Sequence, residues 1–187
     1  QAGQPASPQV MPLNAQRVGP LLTFVDIAAG VHTSCGITSN NEIYCWGQGE
    51  SIAPARGNAH LPALIPGVAG RLPRAVSIGF YHACVSFVDG GAACWGQDEN
   101  GAMGFQNRFL EGFANPRDRP RAINLQPGGV APAVVSLVAA EYFTCARVAT
   151  GQPVRCWGSN DFAQLGLGIR AQRSTLAAPA VELPIGG

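Results

Sequence analysis

The chain has 187 residues, enough for one domain or a short repeat array, and its net charge of +1 argues against attraction to nucleic acid or acidic membranes. Charged residues are only 12% of the chain, about half the usual share of roughly 25%. Much of the surface is therefore expected to be buried between its own elements or against a partner. The longest apolar run, Val130–Ala140, is broken by Pro132 and Ser136, so no membrane span is predicted.

A tripeptide, Cys-Trp-Gly, occurs three times and contains all three Trp of the chain; it starts at residues 45, 94 and 156. The intervals between these starts are 49 and 62 residues, which suits propeller blades if the second interval contains an insertion. The upstream halves align when Gly30 is placed on Gly79 and Ala140. Downstream of the tripeptide, the segment 97–104 matches 159–166, whereas the first copy no longer follows this pattern after Gln48. The chain is therefore an array of three repeats.

A hairpin turn is predicted between the two cysteines of each copy, which are separated by 10, 10 and 11 residues. Val88–Ala92 predicts a three-residue loop with Gly at the position that needs a positive φ. Ser39–Asn41 predicts the same loop with Asn, and the extra residue of the third copy predicts a two-residue loop at Thr150–Gly151. This register places the cysteines of each copy opposite one another: Cys35 and Cys45, Cys84 and Cys94, Cys145 and Cys156.

The paired cysteines indicate disulfides across adjacent strands. Opposed residues at a non-hydrogen-bonded position lie about 4.5 Å apart at Cα, which is near the lower limit of disulfide geometry. An even number of cysteines in regular pairs is typical of a disulfide framework and of an oxidising, extracytoplasmic compartment. Structural zinc sites use ligands two to four residues apart, and no pair here has that spacing. Free thiols in the core are the remaining alternative.

Each repeat thus predicts three strands, and a fourth, outer strand is expected from the Pro-flanked segments Leu61–Val68, Pro120–Leu125 and Pro179–Leu183. One such sheet cannot bury both of its faces alone, so neighbouring sheets must stack on it. The Trp is expected to fill the space between sheets, with its ring N–H in need of one partner. The predicted fold class is all-β, with about three to four four-stranded antiparallel sheets.

The pattern Gly-x-x-His-x-Cys, a turn, and Cys-Trp-Gly-x-(Asp/Asn)-x-x-Gly-x-x-Gly resembles the regulator of chromosome condensation repeat, in the style of its Cys-containing, exported bacterial branch. His82 fits the pattern, whereas Thr33 and Phe143 stand in its place in the other copies. The resemblance implies a β-propeller with one four-stranded blade per repeat. It divides the chain into an N-terminal extension (1–23) and a propeller-like domain (24–187), with blades near 24–60, 61–104 and 120–178 and an insertion at 105–119.

This family usually closes a ring of about seven blades, and three repeats predict a partial arc or one part of an assembled ring. Three completions remain open: copies of the chain close the ring, another chain supplies the missing blades, or the arc docks on a larger assembly. Exposed blade edges invite strand pairing. The low charge content favours burial in an assembly, and docking on a heterologous assembly is favoured slightly over self-closure.

The sequence predicts no catalytic residue, no metal site and no cofactor. His32, His60 and His82 have no nucleophile and orienting acid at a recognisable spacing. His82 is expected to make a structural hydrogen bond, with His32 in a neighbouring strand or loop and His60 in an irregular linker. The acidic residues after the Trp are expected to cap turns rather than bind calcium: Glu50, Asp98, Glu99 and Asp161. The chain also contains no Lys, which excludes a Gly-x-x-x-x-Gly-Lys phosphate loop.

The insertion and its flank are the best candidate for a partner-binding surface. Three Phe recur every fourth residue, so a short helical segment would align them on one face: Phe105, Phe109 and Phe113. Arg108, Arg117, Arg119 and Arg121 surround them, in the manner of an interface anchor with a polar rim. The alternative is that this loop folds back and packs its Phe side chains on the edge of the blade.

These features favour a non-catalytic interaction or structural subunit of an extracytoplasmic assembly, at a secreted, periplasmic or cell-surface location. Its partners are expected to be other proteins or copies of itself. A second hypothesis is a binding or inhibitor protein that acts through blade-face loops, similar to the β-lactamase-inhibiting propeller of the same family. The third, guanine nucleotide exchange as in the nuclear founder of the family, is disfavoured by the disulfides and by the three-repeat length.

Overall fold

The computed structural model describes residues 21–48, 52, 58–66, 68, 70–98, 101–104, 120–123, 125, 133–149, 154–168 and 173–174. These residues form three four-stranded antiparallel sheets, each with its strands in chain order, and each sheet is one blade. The all-β prediction is confirmed. In the described part of the chain there is no helix of the length and apolarity needed to cross a membrane.

The first blade consists of β1 (Phe24–Ala29), β2 (Thr33–Thr38), β3 (Ile43–Gln48) and β4 (Asn58–Leu64). The second consists of β5 (Pro73–Ile78), β6 (His82–Phe87), β7 (Ala92–Gly96) and β8 (Arg121–Ala122). The third consists of β9 (Val134–Ala139), β10 (Phe143–Val148), β11 (Val154–Ser159) and β12 (Arg173–Ser174).

The outer strands agree with the sequence prediction in part, since β4 overlaps the expected Leu61–Val68 and β8 lies within the expected Pro120–Leu125, but the blade boundaries differ. β4 starts at Asn58, so His60 lies in a strand and not in an irregular linker, and the first blade extends beyond the expected boundary at residue 60. β8 pairs with β7, so the insertion falls inside the second blade rather than after it. β12 lies before the expected outer strand Pro179–Leu183, which is outside the described residues. β8 and β12 have only two residues each, too few to show an alternation that would fix their bounds from the sequence.

The central hairpins match the sequence prediction. The register places Cys35 opposite Cys45, Cys84 opposite Cys94 and Cys145 opposite Cys156. Each pair forms a disulfide with a Cα–Cα distance of 4.1 Å. Asn41 and Gly90 take the predicted positive φ in their turns, at 62° and 85°. The turn predicted at Thr150–Gly151 lies outside the described residues.

The Gly of each Cys-Trp-Gly is required by a close approach between chain segments. Gly47, Gly96 and Gly158 have φ of 107°, 113° and 110°, which disfavours residues with a Cβ. A Cβ at Gly96 would also lie 2.3 Å from the carbonyl oxygen of Tyr81. Tyr81 belongs to the turn between the first and second strands of its blade. We call these turns, residues 30–32, 79–81 and 140–142, the inner turns.

The blades stack through two apolar layers around the strands β1, β5 and β9, and β5 contacts both of the others. The first layer joins the Cys35–Cys45 disulfide to Trp95, and the second joins the Cys84–Cys94 disulfide to Trp157. Each blade therefore has a leading face, which carries its Trp and meets the preceding blade. It also has a trailing face, which carries its disulfide and meets the next blade.

Candidate functional site

The Trp side chains form the repeating contact between blades. The indole Nε1 of Trp95 donates to the carbonyl of Ile52 at 3.0 Å, and that of Trp157 donates to the carbonyl of Ala102 at 2.9 Å. Both rings are buried, with exposures of 1% and 0%. Trp46, on the leading face of the first blade, is only half-buried and packs against Phe24 at a ring distance of 5.5 Å. Its indole makes no hydrogen bond to any described residue.

The leading face of the first blade is uncovered by described residues. Ile27, Val76 and Leu137 occupy equivalent positions in β1, β5 and β9 when the blades are aligned on Gly30, Gly79 and Ala140. Their exposures are 70%, 7% and 9%. The same apolar position is thus buried in two blades by a neighbour and exposed to solvent in the first.

The trailing face of the third blade is likewise uncovered by described residues. Cys84 and Cys94 are fully buried under the third blade, whereas Cys145 is only half-buried. Val138 is 60% exposed. Its equivalent in the second blade, Ser77, accepts a hydrogen bond from the Ala139 N–H of the next blade at 2.9 Å. The described arc therefore presents two unpartnered faces, one of each kind.

A buried polar relay joins the second and third blades. His82 is 1% exposed, and its Nε2 lies 2.8 Å from the hydroxyl of Thr144. Thr144 donates its hydroxyl proton to the carbonyl of Ala102 at 2.7 Å, so the imidazole is the donor to Thr144. The expectation of a structural hydrogen bond for His82 agrees with this geometry. Burial disfavours the charged imidazolium and lowers the pKa of His82 to about 4.

This relay predicts a pH-dependent stability. Because the pKa of His82 is about 4 in the folded chain and about 6.5 when unfolded, the unfolded state binds more protons between these values. The free energy of unfolding should be constant above about pH 7 and should fall by about 3 kcal/mol as the pH drops from 6.5 to 4. Denaturant titrations at a series of pH values measure this.

The control variant is His82→Phe, which copies Phe143 at the equivalent position of the third blade. Phe does not titrate, so the variant should lose the decline between pH 6.5 and 4. An unchanged decline in the variant would assign the pH dependence to other groups and contradict this role of His82.

A row of aromatic side chains lies along the inner turns of the three blades. Phe80 is at its centre, with ring distances of 5.9 Å to His32, 4.4 Å to Tyr81 and 5.6 Å to Tyr142. His32 and Tyr81 are exposed, and the other two are half-buried. We call these four residues the aromatic row. This row was not predicted from the sequence, although an aromatic side chain stands two residues after the motif Gly position in each repeat.

The first blade also has a cleft of about 430 Å³ near its turn between β2 and β3, lined in part by Asn40, Leu64 and Arg71. The Arg71 guanidinium binds Asp89 at 2.7 Å and lies 3.7 Å from the ring centre of Phe87. The hydrogen bond from Arg71, assisted by the Gly91 N–H, lowers the pKa of the Asp89 carboxyl. The guanidinium at this cleft is thus already paired within the chain.

The acidic residues after the Trp have structural roles where they are described. Asp98 accepts from the Met103 N–H at 2.8 Å, and Asp161 accepts from the Ser159 hydroxyl at 2.9 Å. Among the described side chains, no group of three or more His, Cys, Asp or Glu is arranged to hold a metal ion. Glu50 and Glu99 lie outside the described residues.

The predicted partner-binding residues fall almost wholly outside the described part of the chain: Phe105, Arg108, Phe109, Phe113, Arg117 and Arg119. Arg121 is described, and it lies half-buried in β8 opposite Cys94. Gly104 and Arg121 flank the insertion.

Comparison with known proteins identifies the repeat. The family model for the regulator of chromosome condensation (RCC1) repeat matches residues 24–51. Yeast RCC1 (Prp20), solved with bound Kap60, is similar over 81% of this chain and 36% of its own, with 17% identity and a TM-score of 0.67. Human WBSCR16 is similar over 73% of this chain and 33% of its own, with 20% identity and a TM-score of 0.59.

A third similar structure is the ectodomain of the receptor kinase CR4 from Physcomitrella patens. The likeness covers 75% of this chain and 31% of that one, with 21% identity and a TM-score of 0.50. The chain thus spans about a third of each of these proteins. Residues 24–51 thus match the regulator of chromosome condensation repeat, and the three stacked blades share the β-propeller fold of these similar structures.

Proposed function

We propose that the chain is a non-catalytic protein-interaction subunit of an extracytoplasmic assembly, and that it binds its neighbours through the open faces of its blades. The observation that supports this most is the exposure of Ile27, at 70%, where the equivalent Val76 is 7% exposed. An apolar side chain at a position that is buried in the other blades is expected to be buried in the working form as well. The low charge content, at 12%, fits the same role.

The extracytoplasmic location rests on the three disulfides. Each closes a short hairpin, and two of them lie in layers between blades. Such bridges persist in oxidising compartments and are rare in the cytosol. The similar CR4 structure is itself an ectodomain.

Purification of a tagged chain from its native cells, under mild and non-reducing conditions, tests this function. The chain should retain a stable set of protein neighbours, and Ile27→Arg should reduce their recovery because it places a charge on the leading face. Val88→Arg is the matched control, because Val88 is 54% exposed in the turn between β6 and β7 and lies on neither open face. Recovery of the chain as a monomer, with its disulfides intact and bound neither to other proteins nor to further copies of itself, would contradict the proposal.

A second candidate function is a soluble binding or inhibitor protein that acts through blade-face loops, and the aromatic row favours it. Exposed aromatic side chains clustered on one end of a rigid scaffold are typical of binding surfaces. Tyr81→Ser with Tyr142→Ser should abolish partner recovery if this surface is used, whereas Ile27→Arg should then have no effect. The opposite result supports the blade faces.

The insertion residues remain part of the proposal as a further contact with a partner. Phe105, Phe109 and Phe113 would supply its apolar anchor, and Arg108, Arg117, Arg119 and Arg121 its polar rim. The same purification with Phe109→Ser and Phe113→Ser checks this contact. If the contact exists, the variant should recover fewer protein neighbours and keep the melting temperature of the unmodified chain. A matching fall in the melting temperature would instead support packing of this loop on the blade edge.

A further inference from the structure

The loop after β11 has the same hydrogen-bonded shape as the loop after β7. In the second blade, the Asp98 side chain accepts from the Met103 N–H at 2.8 Å, and Gly104 N–H donates to the Gly101 carbonyl at 3.0 Å. In the third blade, the Asn160 side chain accepts from the Leu165 N–H at 3.0 Å, and Gly166 N–H donates to the Ala163 carbonyl at 3.1 Å. Gln164 therefore occupies the place of Ala102.

The main chain at Ala102 shows the role of this position in the contact between blades. Its carbonyl accepts two hydrogen bonds from the next blade, from the Trp157 indole at 2.9 Å and from the Thr144 hydroxyl at 2.7 Å. The Gln164 side chain is bonded to the Phe162 N–H and to the Ser159 hydroxyl, at 2.9 and 3.3 Å. No described group donates to its main-chain carbonyl. The third blade thus holds a formed acceptor at the edge of its open trailing face.

The donors that match this acceptor are on the first blade. Thr144 stands opposite Trp157 in the register of β10 and β11, and Ser34 stands opposite Trp46 in the register of β2 and β3. The leading face of the first blade therefore carries an indole N–H and a hydroxyl in the same arrangement. Trp46 and Ser34 are both half-buried. An indole N–H that leaves water is expected to find a hydrogen-bond partner.

We propose that the trailing face of the third blade binds the leading face of the first blade of a second copy of this chain. In that contact the indole of Trp46 from the second copy donates to the Gln164 carbonyl. The inference rests on the proposed function and identifies the binding partner as a second copy of the chain. A second copy is the partner because one chain carries both surfaces of the repeating blade contact. The leading face is open on its first blade and the trailing face is open on its third blade.

The apolar surfaces at the two ends agree with this pairing. Ile27 and Val25 are 70% and 66% exposed at the leading face, and Val138 is 60% exposed in the inner strand of the third blade. In the interior contact, Ser77 accepts from the Ala139 N–H, and these residues are equivalent to Val138 and Ala29. The Val138 side chain has no acceptor, so between the two copies this position would contribute apolar contact and not a hydrogen bond. Such a head-to-tail contact is heterologous, so it builds a ring where the rotation closes and an open chain where it does not.

A mixing experiment with two variants tests the head-to-tail arrangement. Ile27→Arg damages only the leading face and Val138→Arg only the trailing face, and both residues are exposed in the single chain, so both variants should fold. Sedimentation velocity should show that the unmodified chain self-associates and that each variant alone is a monomer, with association weakened at least about a hundredfold. An equal mixture should form a dimer through the two intact faces. Val88→Arg should associate like the unmodified chain.

Tryptophan fluorescence gives a second readout of the same contact. Trp95 and Trp157 are already buried, so a blue shift on raising the protein concentration reports Trp46, and Trp46→Phe should abolish it. The inference would be overturned by an unmodified chain that stays monomeric at concentrations about tenfold above a micromolar dissociation constant. An equal mixture of the two variants that remains monomeric would overturn it as well. Such a result, combined with recovery of other proteins from native cells, would leave the proposed function standing.

Discussion

Replacing Trp157 with Ala is expected to lower the free energy of unfolding by about 3–5 kcal/mol. The ring is fully buried between the second and third blades, so its removal leaves a cavity that the stacked sheets cannot close. The substitution also removes one of the two hydrogen bonds to the Ala102 carbonyl. Chemical denaturation under non-reducing conditions, at a protein concentration too low for self-association, measures the loss.

Trp46→Ala is the matched control, because it removes the same side chain from the equivalent position of the first blade. Its ring is half-buried and its indole has no hydrogen bond to a described residue, so we expect a loss less than half as large. Equal losses at the two positions would mean that the leading face of the first blade is covered in the isolated chain. That result would remove the main support for a docking surface there.

Removal of the Cys84–Cys94 disulfide, by replacing both residues with Ala, has the other large expected effect. Opening a loop of this length costs about 3 kcal/mol through the entropy of the unfolded chain. Both cysteines are fully buried in the layer that holds Trp157, so lost packing should raise the total to about 4–5 kcal/mol. Thermal and denaturant unfolding of the variant and the unmodified chain give the difference.

The Cys145–Cys156 disulfide is the internal comparison, since its loop is only one residue longer. The entropic contributions of the two bridges are therefore nearly equal, and their difference reports packing alone. Cys145 is half-buried at the open trailing face of the third blade, so its removal should cost less. A larger cost there than for the Cys84–Cys94 bridge would contradict an open trailing face.

The features set by local sequence were predictable. The spacing of each Cys pair, together with Gly90 and Asn41 in the turns, defines the hairpin register, and that register determines which cysteines meet. The Gly after each Trp was visible in the sequence as part of the repeat, but the reason for it, a positive φ and a close approach to the inner turn, came from the structure. The Trp was correctly expected to fill the space between sheets and to need a partner for its N–H.

The features set by contacts between blades were not predictable in detail. Two of the outer strands, β8 and β12, have only two residues, too few for any periodicity. β4 is longer, but its start before His60 was not predicted. The carbonyls that accept from Trp95 and Trp157 belong to loops that are far away in the sequence and have no characteristic side chain. Ile27 and Val76 look alike in the sequence, and only the stack of blades shows that one is buried and the other is not.

The solvent accessibility of the first blade within the native assembly tests the central claim most directly. Oxidative footprinting by mass spectrometry compares the mildly purified assembly with the isolated chain. Our account predicts that Trp46 and Ile27 react readily in the isolated chain, and that in the assembly Trp46 is as protected as Trp95. Equal reactivity of Trp46 in both preparations, with the neighbours still bound, would show that the open blade face is not the surface that this protein uses.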